Sequence, residues 1–178
     1  EVADPSILFR SGSSTPVSGT CVAIAMEGRR ALPVEVQALI VASNAPQPRR
    51  VVNGVDSSRV AMLLAVLERR CGMPLSGFDV YVSTVGGIRL TEPAADLAIA
   101  LAVASARREK ALDAHLAAIG EISLAGEIRA VSGASQRAAE AARLGYTTVV
   151  DASALHLREA VRLAFASAHD DALDVPEF

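Results

Sequence analysis

Apolar positions along this chain recur with two periods, about two and about 3.6 residues, and the alternation between them lays out a layered domain. Residues 20–26 and 31–40 are β-rich runs on either side of Glu27-Gly28-Arg29-Arg30. The glycine supplies the turn, so a hairpin is expected. Residues 43–48 are polar and contain prolines, which predicts a loop, and residues 49–53 enter a short strand. Val60, Leu63, Leu64 and Leu67 then fall at helical spacing between Asp56, an N-cap residue, and Gly72, a stop. Arg69 and Arg70 occupy the last turn of that helix, where cations suit its dipole. Residues 78–85 read as a strand that breaks at Gly86-Gly87 and resumes briefly through 88–90. A central helix is expected over 94–106, started by the Thr91 hydroxyl and Pro93, and its nearly uninterrupted apolar surface predicts burial on all sides.

The second half continues the alternation. Residues 115–122 read as a buried strand, and 120–129 as a second hairpin. An Ala-rich helix capped by Ser132 and stopped by Gly145 follows over 132–144, then a strand at 147–150 and a helix at 155–166. The order makes one α/β or α+β domain over residues 20–166, without internal repeats. Residues 1–19, a short apolar cluster followed by a Ser/Gly/Pro stretch, have the composition of a linker or docking arm. Residues 167–178 form an acidic tail expected to be poorly ordered.

Composition refines this picture in three ways. The 178 residues are 51% hydrophobic, enough for a core, but aromatics are 3% and Trp is absent, so small side chains on closely packed elements must fill it. A net charge of −3 excludes a global basic field, and any DNA contact must come from a local patch. Arginine pairs occur at Arg29-Arg30, Arg49-Arg50, Arg69-Arg70 and Arg107-Arg108. Solvated helix ends and turns account for such pairs unless several subunits present them together. Cys21 and Cys71 lack any CxxC or Cys/His spacing, so both are expected to be buried free thiols.

His115, His156 and His169 are scattered and lack metal-ligand spacing. Gly86-Gly87 lacks the Gly-Lys-Ser/Thr of a P-loop and reads as a tight strand break. Neither a run of about 20 apolar residues nor a signal peptide is present, so no membrane association is expected. Glu92 and Asp96 flank the first turn of the central helix, where carboxylates meet the positive end of the dipole. The alternative to that structural role is a salt link to an arginine of a neighbouring subunit, with Arg89 a plausible member.

Three segments carry a resemblance to a known family. They are Pro48-Arg49-Arg50-Val51 with residues 58–67, then Gly86-Gly87-Ile88-Arg89-Leu90-Thr91-Glu92-Pro93-Ala94-Ala95-Asp96, then Gly120-Glu121-Ile122-Ser123-Leu124-Ala125-Gly126-Glu127-Ile128-Arg129. In order and spacing they resemble the C-terminal, Lon-protease-like domain of the bacterial DNA-repair proteins of the RadA (Sms) family. The resemblance implies the fold of the Lon proteolytic domain (ribosomal protein S5 domain 2-like), with mixed sheets packed against helices. Lon peptidases use a Ser nucleophile and a Lys general base, which must lie within hydrogen-bond reach of each other. The residues matching those positions here are Ala94 and Ser135, neither of which can play its part, so the resemblance implies no peptidase activity.

The resemblance further implies a parent protein with an N-terminal zinc finger and a RecA-type ATPase core, so Zn, ATP and Mg belong to those regions and no cofactor to this one. Such proteins are cytoplasmic, form hexameric rings, work beside a RecA-type recombinase and drive branch migration of recombination intermediates. The domain's expected roles are ring oligomerisation and contact with single- or double-stranded DNA. Arg49, Arg50, Arg59 and Arg89 are the expected DNA-binding residues, with Arg59 placed on the exposed side of its helix, opposite Leu63 and Leu67.

Overall fold

A computed structural model of the chain describes residues 15–170, with side chains as far as Ser167. The expectations for residues 1–14, for His169 and for most of the acidic tail lie outside the described residues. The first hairpin forms as its pattern requires. Strands β1 (Thr20–Glu27) and β2 (Arg30–Ala42) pair antiparallel from Thr20↔Gln37 to Glu27↔Arg30, and Gly28 makes the turn at φ +60°. After β3 (Arg50–Asn53), the Asp56 carboxylate caps helix α1 (Ser57–Cys71) by accepting from the Arg59 N–H at 2.9 Å. Gly72, at φ +63°, closes the helix.

The remaining elements are β4 (Phe78–Thr84), α2 (Asp96–Arg108), β5 (Leu116–Ala118), β6 (Glu121–Ile122), β7 (Ile128–Arg129), α3 (Ala134–Arg143), β8 (Thr148–Val150) and α4 (Leu157–Asp170). Six strands form one mixed sheet in the order β3-β4-β2-β1-β5-β8, while β6 and β7 make a separate two-stranded hairpin. The β1–β2 and β2–β4 pairings are antiparallel, and β3–β4, β1–β5 and β5–β8 are parallel.

Strand alternation sends side chains to two faces. Cys21, Ala23, Ala25, Val34, Val36 and Ala38 face the core shared with α1, α2 and α4, whereas Val22, Ile24 and Ala117 pack towards Ala141 and Tyr146. Every residue of α2 from Asp96 to Ser105 is buried, the arrangement its apolar surface predicted. Ala98, Ala100, Ala102 and Ala104 let neighbouring elements approach this helix closely.

Several boundaries differ from the sequence expectations, each for a local reason. Residues 88–90 do not resume a strand; Gly86 takes φ +79° in a tight turn, and only a single bridge, Val55↔Leu90, follows. The strand expected over 115–122 divides into β5 and β6 because Gly120 leaves the sheet to clasp the start of α2. Its N–H donates to the Ala94 carbonyl at 3.1 Å, and its carbonyl accepts from the Leu97 N–H at 3.1 Å. Thr91 caps nothing, since one 3-10 turn, Pro93–Ala95, precedes α2. Gly133, at φ +69°, replaces Ser132 at the start of α3. Of the two cysteines, Cys21 is buried, and burial pushes its thiol up to about 12. Cys71 is only half-buried, because it ends the Leu63–Leu67 stripe where the chain turns away at Gly72.

The last residue of the expected arm is stitched into the domain. The Gly19 N–H donates to the buried Ser105 hydroxyl at 2.9 Å, and its carbonyl accepts from the Ala38 N–H at 2.7 Å. Gly19 has φ +91°, and a Cβ there would meet the Ala38 carbonyl oxygen at 2.2 Å. Gly19→Ala is therefore expected to lose about 2 kcal/mol and to melt roughly 5 °C lower, measured by thermal unfolding.

Candidate functional site at the start of the central helix

The segment Glu92-Pro93-Ala94-Ala95-Asp96 begins the most buried helix of the chain, and its two carboxylates leave the helix start in different directions. Asp96, 1% exposed, accepts from Arg59 Nε at 2.8 Å and from Arg59 Nη2, and its Oδ2 also accepts from the Ile122 N–H at 3.1 Å. This pair ties α1, α2 and β6 together. Glu92 accepts from Arg137 Nη1 and Nη2, each at 2.8 Å, and from the Met26 N–H at 3.0 Å. Arg137, 2% exposed, also donates to the Ile24 carbonyl at 2.7 Å and the Ser132 carbonyl at 3.1 Å. The second pair ties β1, the helix start and α3.

The two carboxyls respond oppositely to these surroundings. Burial raises Asp96 above its ordinary value, against the downward pull of the Arg59 guanidinium and the Ile122 N–H. Burial also acts upward on Glu92, but the Arg137 guanidinium and the Met26 N–H outweigh it and bring this carboxyl below its usual range.

Asp96 and Glu92 both find cations within the chain, in Arg59 and Arg137. The expected placement of Arg59 is corrected. It lies four residues before Leu63, which puts it on the same side of α1 as that buried residue rather than opposite it. There it is partly covered and paired. Arg137 was missed by the sequence reading, although it stands four residues before Ala141, and these two are the buried residues of α3.

Of the two residues expected at the positions of the Lon dyad, Ala94 is buried, with Gly120 bonded to its carbonyl, and Ser135 is exposed on the first turn of α3. What α3 sends to the helix start is the Arg137 guanidinium. The other expected residues do not converge. Arg49 is exposed, and its N–H donates to Asp79 Oδ1 at 2.6 Å. The Arg50 guanidinium donates to the carbonyls of Arg49 (3.2 Å), Phe78 and Leu75 (3.2 Å), next to the C-terminal end of α1. Arg59 and Arg89 sit at the opposite end of α1, with Arg89 exposed beside Leu90, whose N–H donates to the Gly54 carbonyl at 2.7 Å. Among the described residues no group of three His, Cys, Asp or Glu could hold a metal ion, and no helix is long and apolar enough to cross a membrane.

Fold and helix start define a mixed α/β domain organised on one buried helix and locked by two internal ion pairs. The comparisons with known proteins attach names to its relatives. The chain is 52% identical over 149 residues to the DNA repair protein RadA of Mycolicibacterium smegmatis, a match that covers 84% of this chain and 32% of that protein. It is 48% identical over 150 residues to the DNA repair protein RadA of Halalkalibacterium halodurans (84% and 33%), and 44% identical over 150 residues to that of Synechocystis sp. (84% and 30%). The chain is thus homologous to proteins of this name and spans about a third of their length. A family model described as subunit ChlI of Mg-chelatase matches residues 70–154, from the end of α1 to the turn before α4.

Proposed function

We propose that this chain is the non-catalytic, Lon-protease-like domain of a RadA-type DNA-repair and recombination ATPase, and that it serves ring oligomerisation and DNA binding. The observation that carries the reading is the 52% identity over 149 residues to a protein named DNA repair protein RadA. The helix start supports its non-catalytic half. A methyl group at Ala94 cannot attack a carbonyl, the hydroxyl of Ser135 lies exposed on another helix, and the cations nearest the helix start are already held by carboxylates. In the parent, the ATPase core would bind ATP and Mg, a separate finger would bind Zn, and the assembly would act in the cytoplasm beside a RecA-type recombinase during branch migration.

A hexameric ring would repeat the same exposed arginines around one channel, so that an acidic chain could still present a concentrated positive field to phosphates. Arg49, Arg50 and Arg89 fit that role. Arg59 fits it less well, because Asp96 already compensates its charge. Purified protein is expected to leave an unfolded protein substrate intact and to bind labelled DNA with an affinity that falls steeply with salt. Cleavage that disappears on Ser135→Ala would overturn the non-catalytic reading, and an Arg49→Ala/Arg50→Ala variant with an unchanged salt slope would remove that pair from the DNA contact.

A second reading, an assembly module that never touches DNA, is favoured by the uncovered part of the sheet. Leu39, Tyr81 and Val51 stand in one cross-strand row, and Leu39 (60%), Val51 (49%) and nearby Val41 (46%) are unusually exposed for apolar residues. Gel filtration run alongside the DNA assay separates the readings, because this one predicts oligomers without DNA binding.

A further inference from the structure

The chain treats its arginines in two ways. The buried Arg137 and the partly covered Arg59 are matched by carboxylates, and Arg143 and Arg162 pair with acids three residues away on their own helices. At the C-terminal end of α1 the pattern changes. Several guanidiniums from four elements gather there, and none of them is ion-paired with a carboxylate among the described residues.

The gathering is organised by the loop 72–77 between α1 and β4. From the β3 side, Arg50 donates to the Phe78 and Leu75 carbonyls. From the end of α2, Arg107 donates through Nε to the Pro74 carbonyl at 2.8 Å, and its guanidinium lies 4.2 Å from the centre of the Phe78 ring. Next to it in sequence, Arg108 stacks over the Phe165 ring of α4 at 4.6 Å. Arg158, at the start of α4, donates to the Arg70 carbonyl at 2.7 Å. The charges of both Arg158 and Arg108 reach the half-buried Cys71 thiol, which places them around the same helix end. Arg70 itself donates through Nε to the Leu124 carbonyl at 3.3 Å.

These anchors hold the guanidiniums without neutralising them. A carbonyl or a ring face satisfies only part of the five-donor fork of an arginine, and the remaining donors are free to grip a planar or tetrahedral oxyanion. The acids nearby are fewer, and the carboxylates of Glu68 and Asp79 are already engaged. Glu68 accepts from the Leu75 and Ser76 N–H groups at 3.1 and 3.2 Å, Asp79 accepts from the Arg49 N–H, and Glu109 is the C-cap residue of α2. Pre-placed, uncompensated arginines on an otherwise acidic chain suit a ligand with repeated phosphates.

We propose that Arg50, Arg70, Arg107, Arg108 and Arg158, gathered around the loop 72–77, form a contact site for the phosphate backbone of a nucleic acid. The site rests on the DNA-binding reading above and deepens it. It retains Arg50 and moves the main contact away from Arg59 and Arg89, which lie at the other end of α1.

The test is fluorescence anisotropy of the 178-residue chain with labelled single- and double-stranded oligonucleotides over a series of salt concentrations. Replacing Arg107, Arg108 and Arg158 together by Gln is expected to weaken binding at least about tenfold and to lower the log–log salt slope by roughly 2 to 3, near 0.9 per lost phosphate contact. The matching triple Lys variant, which keeps the charge, retains most of the slope, and Arg143→Gln, whose guanidinium pairs with Glu140 on α3, leaves it unchanged. Should the triple Gln variant unfold, Arg108→Gln alone, whose guanidinium only stacks on Phe165, is expected to lower the slope by about 1. A folded Gln variant that binds like the parent chain overturns this site while leaving the DNA reading intact. A parent chain that binds neither oligonucleotide overturns both.

Discussion

Replacing Arg59 with methionine is expected to remove about 3–5 kcal/mol of folding stability at neutral pH, and part of that loss should return on mild acidification. An exposed ion pair would not have this effect, since such pairs contribute under about 1 kcal/mol. Here the cation is partly covered while its partner Asp96 is 1% exposed, so removing the guanidinium strands a charge in the core. The pH response has a definite sign. Burial already holds the Asp96 carboxyl above its ordinary value despite Arg59, which means that the folded state binds its proton more tightly than the unfolded chain does. Its contribution is therefore full below the unfolded value and is lost as pH rises through the folded one. Without Arg59 the folded value climbs further, the window widens, and protonation of Asp96 at its acid edge removes the stranded charge. Adding Asp96→Asn should recover most of the loss at pH 7, because the amide oxygen can still accept from the Ile122 N–H at the position that bond occupies now. Urea unfolding at neutral and mildly acidic pH measures all three values. A loss below about 1 kcal/mol with a flat pH response would mean that the pair behaves as a surface pair.

That experiment concerns a contact the sequence could not announce, and the reason is geometric. Elements were legible wherever their signals are local. Gly28 marked the first hairpin, Asp56 and Gly72 bracketed α1, and the apolar surface of residues 94–106 announced a buried helix, because caps, turns and periodicity act within a few residues. The identities of Ala94 and Ser135 were equally readable. What escaped was pairing across long separations. Arg59 finds Asp96 37 residues away, Arg137 finds Glu92 45 residues away, and Gly120 leaves its strand to bond the Ala94 carbonyl. Half of the signal was nevertheless present, since Arg59 before Leu63 and Arg137 before Ala141 both carry an arginine onto a buried stripe at i, i+4. Arg49, Arg50, Arg59 and Arg89, expected together at a DNA contact, stand at the two ends of α1. Around the loop 72–77 the grouping arises only when the ends of α1 and α2 meet the start of α4, which no local pattern encodes.

Arg137→Met is the companion experiment, and its pH signature should run the other way. The expected loss is about 3 kcal/mol, because the change leaves the Ile24 carbonyl without this donor and Glu92 half-buried without its cation. In the parent chain Glu92 lies below its ordinary value, so its contribution is present above the unfolded value and disappears as pH falls through the folded one. Removing Arg137 deletes the main downward influence while burial remains. The carboxyl should then rise, and the acid-side loss of stability should flatten or reverse. Amide hydrogen exchange should localise the damage to α3, whose buried residues are Arg137 and Ala141 and which would then rest on Ala141. Unchanged protection across residues 134–143, together with a loss below about 1 kcal/mol, would mean that α3 is held by its other contacts, such as the Gln136 bond to the Arg29 carbonyl. The opposite pH signatures distinguish two locks on one helix start. The Arg59 lock joins the helices, and the Arg137 lock fastens α3 to the sheet.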